Sequence, residues 1–250
     1  MALFSSFGNR FQQAASRFSW RVWGRRLRLL SIFLAVLWIA PVLVWRFLDP
    51  PLTELMASRL WSGLWGDGPN RFEHATVNLD EISPNLVMAV LASEDQEFLD
   101  HHGFDWEAIQ RAMQHNENHR RKRGASTISQ QTAKNIFLWE GRSWIRKGLE
   151  VPYTVAIELL WGKRRILEAY LNCVELGPGI YGVEAASRHY WQVSAANLTP
   201  TQAALLAATL PSPRRNNPGT HTGFVAKRAG QVLDQVPRLN QRAILRRLGI

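Results

Sequence analysis

Glu94 is the acidic residue whose position in the sequence best suits catalysis. It continues an apolar helical pattern made by Val87, Val90 and Leu91 and followed by Phe98. A carboxylate on such a face is poorly solvated, and a poorly solvated carboxylate can serve as a base toward a hydroxyl group near neutral pH. The alternative is an acid that ends the apolar pattern and points into water, and for a single residue this alternative is more frequent.

A second group of polar residues lies between Gly124 and Asn135. If Ser126 or Thr127 caps a helix there, the side chains that follow at helical spacing share one face. Such a face can bind a phosphate or a sugar, and the positive end of the helix dipole adds to the attraction. The alternative is an ordinary polar face in solvent. The residues at this spacing offer hydroxyl, amide and ammonium groups and are Thr127, Gln131, Lys134 and Asn135.

A third group contains Arg142, Arg146, Lys147 and Glu150. Arg146 and Glu150 are four residues apart, so they could form no more than a surface ion pair on a helix. The functional interpretation makes Arg146 a fork for a phosphate, with Glu150 as the partner that orients it.

Several other classes of site are excluded. The glycine-rich segment 177–182 lacks a following Gly-Lys-Ser/Thr, which excludes a nucleotide P-loop. The histidines lack a metal-site spacing, no Ser-x-x-Lys acyl-transfer motif occurs, and the lone Cys173 cannot form an intrachain disulfide. The net charge of +10 invites a nucleic-acid interpretation, but seven arginines and no acid lie in residues 1–46. The one dense basic run elsewhere, residues 120–123, is better explained as a solvated loop, so we predict no nucleic-acid partner.

The uncharged segment from Leu29 to Trp45 is predicted to cross a membrane. It is apolar apart from Ser31, and its length lies at the short end of what a hydrocarbon core of ~30 Å requires. A cleaved signal peptide is disfavoured because the apolar run is too long and no small-x-small site follows. The positive-inside rule predicts a cytoplasmic N-terminus and translocation of residues from about 47 onward. The arginines that precede the segment are Arg10, Arg17, Arg21, Arg25, Arg26 and Arg28.

The remaining chain is predicted to be mostly α-helical, since periodic apolar residues alternate with caps and no β-branched alternation occurs. Caps are predicted at Ser83-Pro84, at Ser126 or Thr127, and at Thr199, where Thr199 to Gln202 forms a capping box. Pro152 falls inside a predicted helix and should kink it. The predicted parts are a basic cytoplasmic arm (1–28), a transmembrane helix (29–48), an irregular interfacial connector (49–82) and one mostly α domain (83–250), with a mobile basic loop at 115–125.

Taken together, these groups resemble the five motifs of the peptidoglycan glycosyltransferase family of lysozyme-like fold. Any one motif is weakly specific, but five in order over residues 77–218 are highly specific. One membrane segment and no acyl-transfer domain make the chain similar to the monofunctional biosynthetic transglycosylases. Gln202 departs from the family, where many members have Glu. The motifs begin at Glu94-Asp95, Gly124, Arg146-Lys147, Lys163 and Ala203, and the fourth runs through Arg165, Glu168, Tyr170 and Asn172 to Gly177, Gly179 and Gly182.

The resemblance implies transfer of a glycan chain from a polyprenyl diphosphate to lipid II, the lipid-linked disaccharide, with inversion at the sugar. Glu94 would be the base, and Lys134 and Arg146 would stabilise the leaving diphosphate. Glu150 would orient the basic side chains or help hold a metal ion. Asp95, Phe98 and His101 would shape the wall around Glu94. The substrate-binding set implied by the resemblance is completed by Ser126, Thr127, Gln130, Gln131 and Asn135.

The resemblance also implies partners and a location. No cofactor is implied as obligatory, although Mg²⁺ or another divalent cation could assist; the sequence identifies no metal ligands. Partners would be lipid II, the growing glycan chain and membrane lipids, and other wall-synthesis or division proteins could bind. The location would be the bacterial cytoplasmic (inner) membrane, with the catalytic domain outside. Two alternatives remain at this point: a lytic lysozyme-like enzyme that cuts glycan, or a non-enzymatic membrane scaffold of wall synthesis.

Overall fold

Contacts divide the chain into two units, Met1–Val44 and Trp45–Ile250. The computed structural model describes residues 20–66, 71–119, 124–141, 143–220 and 223–250. Most of the predicted basic arm, the basic run 120–123 and Arg142 therefore lie outside the described residues.

Helix α1 (Trp20–Trp45) is the long apolar helix that the sequence predicts, and it starts nine residues before Leu29. Its residues Val22–Trp45 are long and apolar enough to cross a membrane by length and composition. Pro41 lies within the helix without ending it. The predicted transmembrane helix is thus matched by one N-terminal helix of suitable length.

The predicted irregular connector is wrong over Glu54–Leu64, which forms helix α2. Thr53 caps this helix by accepting a hydrogen bond from the backbone N–H of Met56, whose side chain is fully buried. Helix α2 packs against the helix Ile128–Phe137, which we name α5 below. The Thr53 cap and the packing against α5 therefore make this segment helical, although its Trp and Gly content had predicted an irregular structure.

Helix α3 (Pro84–Glu94) lies at the centre of the second unit. Ser83 and Pro84 occupy the predicted cap and first positions, but the Ser83 hydroxyl donates to Leu198 O instead of capping. All residues from Leu86 to Ala92 are buried, so the helix is enclosed on every side and not along one stripe. Phe98 lies beyond the end of the helix, in the turn that follows.

Further helices surround α3. Helix α9 packs against both α3 and α10, while α5 packs against α6 and α7. Pro152 does not interrupt α6, and the predicted mobile loop is helical as far as Asn118. The helices are α4 (Trp106–Asn118), α5 (Ile128–Phe137), α6 (Trp144–Leu160), α7 (Lys163–Cys173), α8 (Val183–Trp191), α9 (Pro200–Thr209), α10 (Gly223–Gln235) and α11 (Gln241–Leu248).

A small sheet, which the sequence did not predict, completes the described part of the unit. Its strands are β1 (Glu73–His74), β2 (Glu175–Gly177) and β3 (Ile180–Tyr181), in the order β1-β3-β2. Strand β3 pairs parallel to β1 and antiparallel to β2. At Gly182 φ is +81°, and a Cβ atom would lie 2.7 Å from Asn172 O, so only glycine fits this turn. The unit is mostly helical, consistent with the lysozyme-like fold that the resemblance implies.

Candidate functional site

Glu94 lies at the C-terminal end of α3, on the wall of a cleft of about 800 Å³. Its side chain is 13% exposed, so it is reachable from solvent but largely enclosed. The cleft is lined by the end of α3, the first turns of α4, the N-terminal part of α5 and one face of α10. Residues that line it include Ser93, Glu94, Asp95, Glu97, Ser126, Thr127, Gln131, Arg228, Gln231 and Gln235.

The Glu94 carboxylate is held by neighbours from two helices. Gln131 Nε2 on α5 donates a hydrogen bond to Glu94 Oε2 at 3.0 Å. Arg228 on α10 places Nη2 3.6 Å from Glu94 Oε1 and donates to Ser93 Oγ at 3.2 Å. The Tyr170 hydroxyl donates to Gln131 Oε1 at 3.2 Å, which fixes the orientation of the amide. Burial, with Glu94 nearby, raises the pKa of Tyr170 well above its ordinary value, so this hydroxyl keeps its proton.

Asp95 supports the cleft from behind. Its buried carboxylate accepts a hydrogen bond from the backbone N–H of Ile128 at 2.9 Å, at the first residue of α5. It also lies 3.0 Å from His101 Nε2. Since His101 Nδ1 accepts from the backbone N–H of Gly103, the imidazole proton lies on Nε2 and is donated to Asp95. Asp95 and His101 therefore fix the start of α5 relative to Glu94.

Phe98 belongs to the buried core in this arrangement. Its side chain is 1% exposed, and the Lys163 ammonium lies 4.6 Å from the ring centroid. Phe98 and His101 are not among the residues that line the cleft, whereas Asp95 is. Phe98 packs edge-on against His101, which binds Asp95, and direct contact of either aromatic residue with substrate stays a prediction.

The start of α5 is organised by the predicted cap. Thr127 is the capping residue: its Oγ1 accepts from the backbone N–H of Gln130, and Gln130 Oε1 accepts from the backbone N–H of Thr127. Both residues are buried, as is Asn135, while Ser126 is exposed on the cleft. Of the second motif, Ser126 and Gln131 therefore offer polar groups to the cleft, and Thr127 and Gln130 hold the helix start in place.

Lys134 lies one helical turn beyond Gln131, so both project from the same side of α5. Burial lowers the pKa of Lys134, with Glu150 opposing and Arg146 reinforcing this shift. Within the described part of the chain, no acceptor lies within hydrogen-bond distance of its ammonium group. Lys134 is thus a poorly solvated cation available to an anion.

Arg146 and Glu150 form the pair that their spacing predicts. The buried Glu150 carboxylate lies 3.3 Å from Arg146 Nη1 and also pairs with Lys147. Arg146 Nε donates to Gly141 O at 2.7 Å, so the guanidinium is held at two points. Lys134, Arg146 and Lys147 with the single acid Glu150 form a group of net positive charge, which we call the cationic cluster. Its members lie outside the lining of the cleft described above.

A protein-held divalent cation does not fit these side chains. Both Glu150 oxygens face cations, and the Asp95 oxygens are taken by His101 and the Ile128 N–H. Among the described residues, no three His, Cys, Asp or Glu side chains are grouped to hold a metal ion.

Sequence reasoning missed Arg228 and the role of Tyr170. Arg228 lies in a C-terminal helix that showed no motif of its own. A signal was nevertheless present, since Val225, Ala229 and Val232 form a buried stripe at helical spacing and Arg228 stands at its edge. An arginine beside a buried stripe is a candidate to reach inward, although the stripe does not identify Glu94 as its partner.

The fold and the site together define a mostly helical enzyme with Glu94 in a polar cleft and a cationic cluster on α5 and α6. The chain belongs to the transglycosylase family, whose sequence model matches residues 64–237. It is a glycosyltransferase.

Relatives that align along most of the chain bear one name, biosynthetic peptidoglycan transglycosylase. One from Xanthomonas axonopodis pv. citri is 47% identical over 94% of this chain and 96% of its own. One from Yersinia pseudotuberculosis is 49% identical over 89% of this chain and 92% of its own. One from Bdellovibrio bacteriovorus is 51% identical over 78% of each chain.

Proposed function

We propose that this protein polymerises lipid II into peptidoglycan glycan strands, with inversion at the sugar and release of the polyprenyl diphosphate. The observation that carries the proposal is the contact of Gln131 with Glu94, because it brings the carboxylate to the same side of α5 as Lys134. A base held by Gln131, with a cation one helical turn further along α5, suits a reaction in which a hydroxyl attacks and a diphosphate leaves.

Glu94 accepts the proton of the attacking hydroxyl in this mechanism. A sugar hydroxyl is a weak nucleophile, and a positioned base contributes roughly 10²- to 10⁴-fold to the rate. Gln131 and Arg228 hold the Glu94 carboxylate in place in the cleft, where it can meet the attacking hydroxyl. A lytic enzyme would instead need a carboxylic acid to protonate its leaving oxygen.

The cationic cluster stabilises the charge that leaves. A diphosphate departs as an anion and needs no proton donor, so Lys134 and Arg146 can meet the developing charge directly. Burial lowers the pKa of Lys134, because its ammonium group is poorly solvated by water. Glu150 fixes the side chains of Arg146 and Lys147 by ion pairs, and the cluster keeps a net positive charge.

The test is incubation of the full-length protein, in phospholipid vesicles, with radiolabelled lipid II. Wild type is expected to form long glycan chains, and Glu94→Gln to form none. Glu97→Gln is the matched control, since Glu97 lines the same cleft on an exposed turn. Glycan fragments released from finished wall would favour the lytic alternative, and a wild type that forms no product would favour the scaffold. Glycan chains formed by Glu94→Gln would contradict the role of Glu94 as the base.

We propose further that α1 anchors the enzyme in the cytoplasmic membrane, with the N-terminus inside and Trp45–Ile250 outside. Six arginines precede the apolar stretch, and positive residues are retained on the cytoplasmic side. A periplasmic-activity reporter fused after Ile250 should be active, and activity of a cytoplasmic reporter at the same place would contradict this topology.

Membrane lipids are proposed to contact two exposed apolar surfaces of the second unit. On α6, Trp144 is 93% and Leu159 79% exposed, on the side of the helix opposite Glu150. Trp61, in the last turn of α2, and Trp65, which follows that helix, are exposed as well. Aromatic side chains of this kind favour the lipid–water interface. Brominated lipids should quench the fluorescence of wild type more than that of a Trp144→Ser variant; equal quenching would contradict contact at α6.

A further inference from the structure

Arg165, near the start of α7, binds the segment with which the second unit begins. Its Nη2 donates to Trp45 O at 2.9 Å and to Leu48 O at 2.7 Å. Its Nη1 lies 2.8 Å from Asp49 Oδ1, a close ion pair without hydrogen-bond alignment. We name residues 45–49 the exit segment, because they follow the apolar part of α1. One guanidinium thus engages three residues of the exit segment.

Two further residues on the same face of α7 bind the chain that follows. Glu168 accepts from Arg165 Nη1 at 2.6 Å and from the backbone N–H of Leu79 at 2.9 Å. Asn172 Nδ2 donates to Asp49 Oδ2 at 3.2 Å and to Val77 O at 2.9 Å. Positions 165, 168 and 172 recur at helical spacing, so this face of α7 is a continuous clamp on the connector.

The opposite side of α7 faces the catalytic base. Tyr170 lies on that side, and its hydroxyl donates to Gln131, whose amide in turn donates to Glu94. Arg165 and Tyr170 are five residues apart, which is ~7.5 Å along a helix axis. A single rigid helix therefore holds both the exit segment and the residue that orients the partner of the base.

We propose that Arg165 is a positioning residue that fixes the catalytic base relative to the point where the chain leaves the membrane. This inference rests on the proposed function, since it matters only for an enzyme whose substrates are tethered to the same membrane. A tethered sugar reaches the base at a height set by its lipid. A base held at the wrong distance from the membrane cannot contact the sugar hydroxyl, even when the cleft is correctly formed.

The chemistry of the clamp supports positioning over a general structural role. A guanidinium offers donors in a fixed planar fork, so it can bind Trp45 O, Leu48 O and Asp49 at once. Its carbonyl partners are Trp45 O, at the last residue of α1, and Leu48 O, just beyond the helix, where backbone oxygens have no partners within the helix. Arg164, the adjacent residue, instead binds Asp80 and the carbonyls of Leu248 and Gly249, none of which belongs to the exit segment.

The test compares two substrates on the same full-length protein in the same vesicles. One is lipid II with its long polyprenyl chain, and the other is the same disaccharide diphosphate on a short chain that stays in water. Arg165→Gln is compared with wild type and with Arg164→Gln as the matched control. Arg165→Lys, which keeps the charge but loses the fork, provides a second variant that is more certain to fold.

Arg165→Gln is expected to lose about tenfold of its rate on the membrane-held substrate, as small misplacements remote from the chemistry can cost up to ~100-fold. Its rate on the short-chain substrate should stay within about twofold of wild type, because the cleft itself is intact. Arg165→Lys should show the same selective loss, and Arg164→Gln should show none.

An equal loss on both substrates would overturn the inference, because it would mean general damage to the cleft. The inference would also be overturned if both Arg165 variants kept the wild-type ratio of rates on the two substrates. If wild type makes no polymer from either substrate, the proposed function fails, and that outcome is distinct from a failure of the clamp.

Discussion

Gln131 Nε2 lies 3.0 Å from Glu94 Oε2 and so joins the second motif to the first across two helices. The same amide accepts from Tyr170, in the fourth motif, at 3.2 Å. A glutamine amide donates from nitrogen and accepts at oxygen, so both contacts require one orientation of its side chain. Gln131 therefore couples the position of α7 to the orientation of the Glu94 carboxylate.

Replacing Gln131 with alanine should slow polymerisation without unfolding the protein. The Glu94 carboxylate would lose its donor on α5 and sample more than one orientation, which we expect to lower the rate by roughly ten- to a hundredfold. Gln110→Ala, at an exposed glutamine on α4, is the control. The measurement is the single-turnover rate on lipid II, and a wild-type rate in a folded Gln131→Ala protein would contradict this role.

Arg228 is expected to be required although it lies outside the five motifs. Its guanidinium lies 3.6 Å from Glu94, and its buried Nε has no hydrogen-bond partner in the described part of the protein. Arg228→Ala should lower kcat/KM by about tenfold, the effect of losing one charged contact of ~1.4 kcal/mol. Lys227→Ala, at an exposed neighbour, should not. Equal kcat/KM values for the two variants would show that Arg228 has no part in the reaction.

The local signals in the sequence were sufficient for the starts of α5 and α9 and for one ion pair. Thr199 and Gln202 form the expected capping box, and Thr127, one of the two caps predicted for α5, forms another with Gln130. The spacing of Arg146 and Glu150 predicted their ion pair. These predictions succeed because capping and i, i+4 contacts are decided within one turn of helix.

The contacts that sequence reasoning missed are between residues far apart in the chain. Arg228 reaches Glu94 only because α9 and α10 pack onto α3. The enclosure of α3 on every side also depends on those neighbours, which is why a single apolar stripe was an incomplete description. Helix α2 was missed for a related reason, since its burial is provided by α5. Tertiary packing, not local preference, decides such elements.

Asp95→Asn should destabilise the protein more than it affects the chemistry. The His101 N–H and the Ile128 N–H both need an acceptor, and an amide offers only one oxygen between them. We expect the free energy of unfolding to fall by about 2–3 kcal/mol, as for a buried donor left unpaired. Asp100→Asn, at an exposed ion pair with Arg247, should cost less than about 1 kcal/mol. Urea denaturation checks both, and equal losses would contradict the supporting role of Asp95.

The pH dependence of Lys134 tests the cationic cluster. Burial lowers the pKa of this ammonium below 10.5, so it loses its proton earlier than an ordinary lysine as pH rises. If its charge stabilises the leaving diphosphate, kcat/KM should fall as pH rises through that lowered pKa. Lys134→Arg keeps its charge, so its alkaline fall should move to higher pH even if its neutral rate is lower. Lys227→Arg should leave the profile unchanged.

Measurements of stability distinguish the loss of the Lys134 charge from alkaline unfolding of the protein. Between the lowered pKa of Lys134 and the ordinary lysine value, the unfolded chain binds more protons at this residue than the folded protein does. This residue's contribution to the free energy of unfolding therefore rises with pH over that window, while its contribution to catalysis falls. Across one pH series, the free energy of unfolding of wild type relative to Lys134→Arg should rise. Over the same series, the kcat/KM of wild type relative to Lys134→Arg should fall. A parallel fall in both would assign the alkaline loss to unfolding and remove Lys134 from the mechanism.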